Sequence, residues 1–407
     1  VNGPRIIYHH RTAAEDGQAV HIRAMLRALE EVGATVEEVG LVRRGTRAPE
    51  PPRAEAAEDA AAKDAARSWS FVDAVPRFAR ELMEYGYSGL ARRKLLAAAR
   101  DFRPQLIYER YAFGNAGGIA AAKRLGIPII VEVNSPLVDE LKRTRGLSFE
   151  GLARKTERFV LENADRVCAV TQVLADLLVE LGAPRERIFV TPNGVHPEQY
   201  AAVDDEAARR AAREDLGLGA LGPEAFVLGF TGYYRDWHRL DLVVEALTDP
   251  GLEDGHLVLI GEGPARASLE EAARRCGVTE RVHFTGPRSH DAIPRLLCAF
   301  DLGLVPAINP YASPLKLHEY MAAGLPSVAP DQPNLREVLE HERESLLVAP
   351  GDADALRQAL VRLAGDAALR ARLGEEARRQ IDAQGLTWRA NALRVLDEAR
   401  ALGAVSG

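Results

Sequence analysis

The chain alternates between short, almost purely apolar runs and longer amphipathic stretches. RIIYHH (5–10) opens as a buried strand. After a polar loop, Ile22, Met25, Leu26 and Leu29 fall at i, i+3, i+4 and i+7, one face of a helix. Gly33 stands where a helix C-terminal cap belongs, and ATVEEVGLV (34–42) then alternates like a second strand. Strand, helix, strand predicts a parallel sheet. The same grammar resumes in QLIYER, GGIAAAKRLG, IPIIVEV, RVCAVT, QVLADLLVEL and IFVTP, whose strands are continuous apolar runs, as expected where helices cover both faces of a sheet. Residues 43–67 carry no aliphatic side chain larger than Ala, so they cannot furnish a core face and read as an insertion or surface helix.

A polar, helix-forming stretch with a Gly/Pro-rich end, VHPEQYAAVDDEAARRAAREDLGLGALGPEA (195–225), interrupts this pattern and reads as an interdomain connection. From Phe226 a second series begins, with FVLGFTG, HLVLIG, VHFTG, DLGLVP, PSVAP and SLLVAP as strands. Three helical segments close the chain, the last being TWRANALRVLDEARAL (387–402). The predicted fold class is α/β: two doubly wound Rossmann-like domains, 1–197 and 225–385, facing a central cleft, with a connection at 198–224 and a C-terminal helix in 386–407. Ligands of such sheets bind at the carboxyl ends of the strands.

Length agrees with that count, since 407 residues at roughly 150 per domain give two or three domains. Lys+Arg 52 against Asp+Glu 59 leaves a net charge of −7, which argues against a nucleic-acid partner, because a duplex binder needs a basic surface to release counterions. The longest apolar stretches fall far short of the ~18 residues of a spanning helix. VNGPRIIYHH lacks the basic and apolar regions of a secretory signal. Cys168, Cys276 and Cys298 are widely spaced and fit free thiols of a reducing compartment, so a cytoplasmic protein is expected.

The densest chemical signal is NPYASPLKLHEYMAAGLPSVAP (309–330). Ser313 suits an N-cap and Pro314 a first helical position, so a helix is predicted directly after the strand DLGLVP. Lys316 then lies in the first turn, where the helix dipole disfavours a cation. A cation there makes sense if an anion shares the site, held by free backbone N–H groups. Glu319, three residues on, has the same face and is placed to accept from a ribose diol. A solvated i,i+3 ion pair explains these two residues equally well. The turn TGYYRDWHR (231–239) offers Gly232 for a tight turn and Arg235 and His238 on the loop that follows. The planar fork of Arg235 suits a phosphate, and pairing with Asp236 or solvent also accounts for it. In AEDGQAVH (14–21), Gly17 before a helix start is a further candidate anion nest.

Other patterns point away from chemistry. GEGPAR (261–266) has Arg266 where a dinucleotide fingerprint needs its third glycine. Asp352 and Asp354 spell D-x-D, but they follow Pro350-Gly351 at a helix start, where Asp is a cap. His9 and His10 project to opposite faces of a strand, which is poor geometry for one metal, and read as loop-edge residues at the cleft.

Taken in order, AEDGQAVHIRAMLRALEEVGATV, DRVCAVTQVL, VTPNGV, LGFTGYYRDWHRLDLVVEAL, LVLIGEGP, VHFTGP and SPLKLHEYMAAGLPSVA resemble glycosyltransferase family 4 (group 1), retaining nucleotide-sugar enzymes with the GT-B fold, over nearly the whole chain. YERYAFGNAGGIAAAKRLGIPIIVEVNSPL further resembles a bacterial subgroup often found with envelope and exopolysaccharide genes. The resemblance implies that Glu319 binds the donor ribose, that Lys316 and Arg235 meet the diphosphate, and that Gly17 belongs to the loop beside it. His238, Gly286 and Leu315 fall on further donor-site positions, and Asn134 on a catalytic position of the N-terminal domain. The C-terminal helix is implied to cross back to that domain. Three positions depart from the family pattern: Tyr311 stands where an acid is usual, His238 where Lys is commonest, and Asn134 where His is common. Asn can donate to a sugar hydroxyl but cannot act as a base at pH 7.

The expected activity is therefore transfer of a sugar, with retention, from a nucleoside diphosphate donor (UDP or GDP before others) to a hydroxyl of a glycan, lipid-linked or small-molecule acceptor, without metal or a resident cofactor. A nucleotide-sugar epimerase of the same fold and a non-catalytic sugar- or nucleotide-binding subunit are the alternatives. RFARELMEYGYSGLARRKLLAAAR (77–100) sets Arg and Lys beside Leu and Tyr, and is expected to give peripheral contact with the inner face of the cytoplasmic membrane. A solvated helix accounts for it as well.

Overall fold

The computed structural model describes residues 3–13, 17–41, 75–200, 205–222 and 225–404. The insertion expected at 43–67 lies outside them. The described residues divide into two compact units, Val1–Thr191 with Ala392–Gly407, and Pro192–Asn391.

The first unit is built on six parallel strands, β1 (Arg5–His9), β2 (Thr35–Val39), β3 (Leu106–Arg110), β4 (Ile129–Val133), β5 (Arg166–Ala169) and β6 (Ile188–Val190), in the order β2-β1-β3-β4-β5-β6. The second carries β7 (Phe226–Thr231), β8 (Gly255–Ile260), β9 (Val282–Phe284), β10 (Leu302–Leu304), β11 (Ser327–Pro330) and β12 (Ser345–Val348), also all parallel, in the order β12-β11-β10-β7-β8-β9. Strand order reverses between β1 and β3 in one sheet and between β7 and β10 in the other. These are the two switch points, where loops diverge to opposite faces and leave a crevice at the carboxyl ends.

Burial explains why the strands read as unbroken apolar runs. In β7, Val227 joins one core layer with Val258 and Ile260, while Phe226, Leu228 and Phe230 join the layer on the other face with Leu257 and Leu259. Alternate residues face alternate layers, and both layers are dry. At the switch point two glycines make room for aromatic rings. A Cβ on Gly229 would meet the Phe300 ring at 1.9 Å, and one on Gly303 the Tyr320 ring at 2.4 Å. Tyr320 thereby lies flat on β10, and its hydroxyl accepts the Thr231 N–H at 3.2 Å. That contact pins the helix Leu315–Ala323 across β7 and β10.

The division between units falls at Thr191, ahead of the expected 197. Asn193 donates through its backbone N–H to Ser313 Oγ at 2.9 Å, and Val195 bridges Thr387. Nor is the stretch from 198 a free connection. Tyr200, Ala212, Leu216 and Leu218 are core residues of the second unit, and Arg209 and Arg213 pair with Asp301 just before β10.

Candidate active site

In the second unit, side chains converge at the carboxyl ends of β7 and β10. Helix Leu315–Ala323 starts one residue later than expected. Pro314 holds the N-cap position with extended backbone and no side-chain cap, because Ser313, predicted as the cap, accepts from Asn193 instead. The first-turn N–H groups are thus not taken by a cap. Lys316 Nζ lies 3.5 Å from the Phe230 ring centroid, against the rim of Gly232, whose missing Cβ would stand 3.7 Å from it. Among the described residues the ammonium has no carboxylate within ion-pair distance. Burial pushes its pKa down to about 7, against the opposing pull of the Glu319 charge.

Glu319 is buried and points elsewhere. Its Oε1 accepts from His290 Nε2 at 2.7 Å. The i,i+3 ion pair with Lys316 is therefore not formed, since each partner is drawn to a different element. Leu315 is partly buried at the first helical position.

The loop after β7 is shaped by backbone contact with the loop after β8. A Cβ on Gly261 would fall 2.0 Å from the Gly232 carbonyl oxygen, and one on Gly263 1.9 Å from that of Tyr234. The glycines of GEGPAR thus serve loop packing. In the β7 loop His238 is buried, and its Nδ1 accepts the Arg235 backbone N–H at 3.0 Å. Burial, then the Lys316 and Arg235 charges, hold its pKa far below the usual imidazole value. The ring is neutral, with its hydrogen on Nε2. Trp237 packs on it, tilted by 31°, at 3.7 Å between centroids. Arg235 is exposed, with its guanidinium over the Tyr233 ring at 5.0 Å, and it pairs with neither Asp236 nor any other described acid. Gly286, at φ +73°, follows β9, and its carbonyl accepts the Gly261 N–H at 2.9 Å. It sits on the strand side from which His290 reaches Glu319. Tyr311 is buried.

The first unit gathers a second set around β1, β3 and β4. Glu132 is buried and accepts from Tyr108 (2.7 Å), His21 (3.0 Å), Arg110 and Asn134. Burial would raise its pKa, but His21, Arg110 and these hydrogen bonds outweigh it and hold the carboxylate ionised well below the usual range. Asn134 thus commits one amide hydrogen to Glu132. His9 ends β1 and His10 follows it at the loop edge, yet both are buried, His9 bonded to Glu109 and Tyr87, His10 to Glu38 at 2.9 Å. Neighbouring strands supply these acids, which the local pattern does not show. Gly17 begins the exposed start of helix Gly17–Glu31, which has no acid in its first turn. Beside it, a cavity of about 240 Å³ is lined by Arg11, Thr12, Gln18, Glu84, Arg110 and Tyr111, among others. The Tyr111 hydroxyl is buried with no hydrogen-bond partner among the described residues.

Of the expected site residues, Gly286, Leu315, Lys316, Glu319, Arg235 and His238 all lie in the second unit, and Gly17 and Asn134 in the first. Sequence reasoning missed Phe230, His290, Arg110 and His21. Only an adjacency signal was available for them: Phe230 precedes the Gly232 turn and His290 follows Gly286.

Comparison with known proteins adds a common descent. A family model described as Glycosyltransferase Family 4 matches residues 16–199, and one described as Glycosyl transferases group 1 matches 225–366. A 2-deoxystreptamine glucosyltransferase of Streptomyces kanamyceticus is 31% identical over 257 residues, 62% of this chain and 65% of that protein. D-inositol 3-phosphate glycosyltransferases of Salinispora tropica and Salinispora arenicola are each 30% identical, covering 76% and 72% of this chain and 66% and 67% of theirs. The chain thus spans just under two thirds of the length of the first two of these relatives. The structure of Anabaena HepE in complex with UDP and glucose shares the fold, with a TM-score of 0.70 at 18% identity over 98% of this chain and all of that one.

Proposed function

From the premise that the chain belongs to glycosyltransferase family 4, group 1, we propose that it moves a sugar, with retention, from a nucleoside diphosphate to an acceptor hydroxyl. The observation that carries the reading is at the second switch point. An ammonium without an acid partner, Lys316, and a buried carboxylate, Glu319, leave the same short helix toward different elements. Such a pair suits a ligand that is anionic at one end and hydroxylated at the other. Charge grows on the diphosphate as its bond to the sugar breaks. Lys316, Arg235, the first-turn N–H groups and the neutral Nε2–H of His238 are fixed donors for that charge. In this reading fixed cations carry the charge that a metal ion would otherwise carry. Glu319 accepts from the ribose. The HepE complex supports UDP as the first nucleotide to test.

The acceptor belongs to the first unit, in the cavity beside Gly17, whose lining offers Arg11, Thr12, Gln18 and Arg110 as polar side chains. The acceptors in the relatives' names, 2-deoxystreptamine and D-inositol 3-phosphate, support a small molecule ahead of a glycan or a lipid-linked acceptor, which an envelope role would call for. Peripheral contact with an anionic membrane through helix Arg77–Phe102 is part of the same reading, supported by its exposed Phe78, Leu82, Met83 and Leu90.

A thermal-shift series over UDP, GDP, ADP and dTDP, followed by their sugars with and without acceptors, tests the proposal. One nucleoside diphosphate should raise the unfolding temperature, and its sugar should be transferred only when acceptor is present, with the anomeric configuration retained by NMR. Isomerised donor without acceptor would favour an epimerase. No shift with any nucleotide would remove the donor site.

A further inference from the structure

Glu319 is not held by its own helix. Its partner among the described residues is His290, which opens the short 3₁₀ turn His290–Ala292 after β9 and reaches Oε1 at 2.7 Å. The carboxylate is almost fully removed from water, whereas the imidazole is about one third exposed at 34%. One oxygen is thereby taken, the carboxylate plane is fixed, and Oε2 is the oxygen left to accept from a ligand.

We propose that His290 is a positioning residue that makes the donor site selective for ribonucleotides over 2′-deoxyribonucleotides. This rests on the reading of Glu319 as the ribose-binding acid. A site built to bond a hydroxyl rejects an analogue lacking it because the buried acceptor is left unpaired. That penalty is full only if the acceptor cannot turn to another donor. A carboxylate anchored at Oε1 cannot swing Oε2 toward the Lys316 ammonium or water, but one released from His290 can. The histidine therefore acts through Glu319 on the discrimination between two ligands that differ by one oxygen.

Titration calorimetry with UDP, 2′-deoxy-UDP, GDP and 2′-deoxy-GDP on the full chain tests this. The wild type should prefer the ribo form of whichever base it binds. His290→Ala should lower that preference about tenfold, the scale of one hydrogen bond to a charged group. His290→Gln, which keeps an N–H donor, should restore most of it. Saturating-donor kcat should stay within about twofold in both variants, with the loss carried by donor KM. A folded His290→Ala protein that keeps the wild-type preference, while Glu319→Gln loses it, overturns the role of His290 and leaves the ribose site standing. A wild type indifferent to the 2′-hydroxyl of the nucleotide it binds overturns the ribose reading and this inference with it.

Discussion

Lys316 and Glu319 show what single residues reveal before any fold is known, and what they hide. A cation in a first helical turn runs against the helix dipole, and that conflict is legible in SPLKLHEY itself. The direction each side chain takes is not, because Phe230 and His290, which decide it, lie far away in sequence. Ser313 fails as a cap for the same reason: Asn193, 120 residues away, claims its hydroxyl. In the proposed function Lys316 meets charge that grows in the transition state, so Lys316→Ala should lower kcat by about 10²–10³-fold. In the same proposal Glu319 binds the ribose, away from the breaking bond, so Glu319→Gln should raise donor KM more than it lowers kcat. Steady-state kinetics of the two folded variants separates these roles, and wild-type constants in both would remove the site. The pH dependence has a definite sign. Lys316 releases its proton near 7 in the folded protein and near ~10.4 in an unfolded chain. The protonated, diphosphate-binding form fades as pH rises through about 7, so kcat/KM for the donor should fall above that point. Lys316→Arg, which stays charged, should flatten the profile. Stability runs the other way: the cost of burying this ammonium is full below about 7 and disappears toward ~10, because the unfolded chain binds more protons across that window.

At the scale of elements, strands were the most legible feature. FVLGFTG and HLVLIG became β7 and β8 because both their faces are covered, so burial alone sets the pattern. Asp352 also caps its helix as read, accepting the Ala355 N–H at 2.9 Å. Loops were harder, since what shapes them is contact between backbones. GEGPAR is an incomplete fingerprint, and its local pattern says nothing of the carbonyl oxygens of Gly232 and Tyr234 against which its glycines lie. Gly263→Ala must push the β7 loop aside, and overpacking of this kind typically costs about 1–3 kcal/mol. The same shift should weaken nucleotide binding, because that loop carries Gly232, Arg235 and His238. Gly286→Ala meets nothing within 4 Å and suffers only the strain of its positive φ, about 1–2 kcal/mol. Urea unfolding followed by the fluorescence of Trp237 and Trp388, both in the second unit, compares the two variants. Equal nucleotide affinity in Gly263→Ala and wild type would show that the β7 loop does not shape the donor site.

For the molecule as a whole, the net charge of −7 sets the terms of any meeting with a membrane. An anionic surface repels such a chain on average, so contact needs a local patch whose attraction exceeds the repulsion. In the proposed reading helix Arg77–Phe102 supplies that patch. Its buried face is Glu81, Tyr87, Ala91, Leu95 and Ala99. Phe78, Leu82, Met83 and Leu90 stand exposed on the other side, Met83 by 69%. Phe78, Leu82, Arg93 and Arg100 fall within a sector of about 60° at 3.6 residues per turn, so apolar and basic side chains share one stripe. Arg92, Arg93 and Arg100 also line an open groove with Leu96. Three arginines near an anionic surface contribute about 3 kcal/mol, and the apolar residues add insertion, which together is marginal and reversible. No helix among the described residues is long and apolar enough to cross a membrane. The protein should therefore co-float with vesicles rich in anionic lipid at low salt, much less at high salt, and not with neutral vesicles. Leu82→Glu with Met83→Glu should abolish co-flotation while leaving nucleotide binding unchanged. Concentration-dependent self-association that these substitutions remove would assign the stripe to a second copy of the chain instead. Failure to co-float at any lipid composition would return it to a solvated helix face.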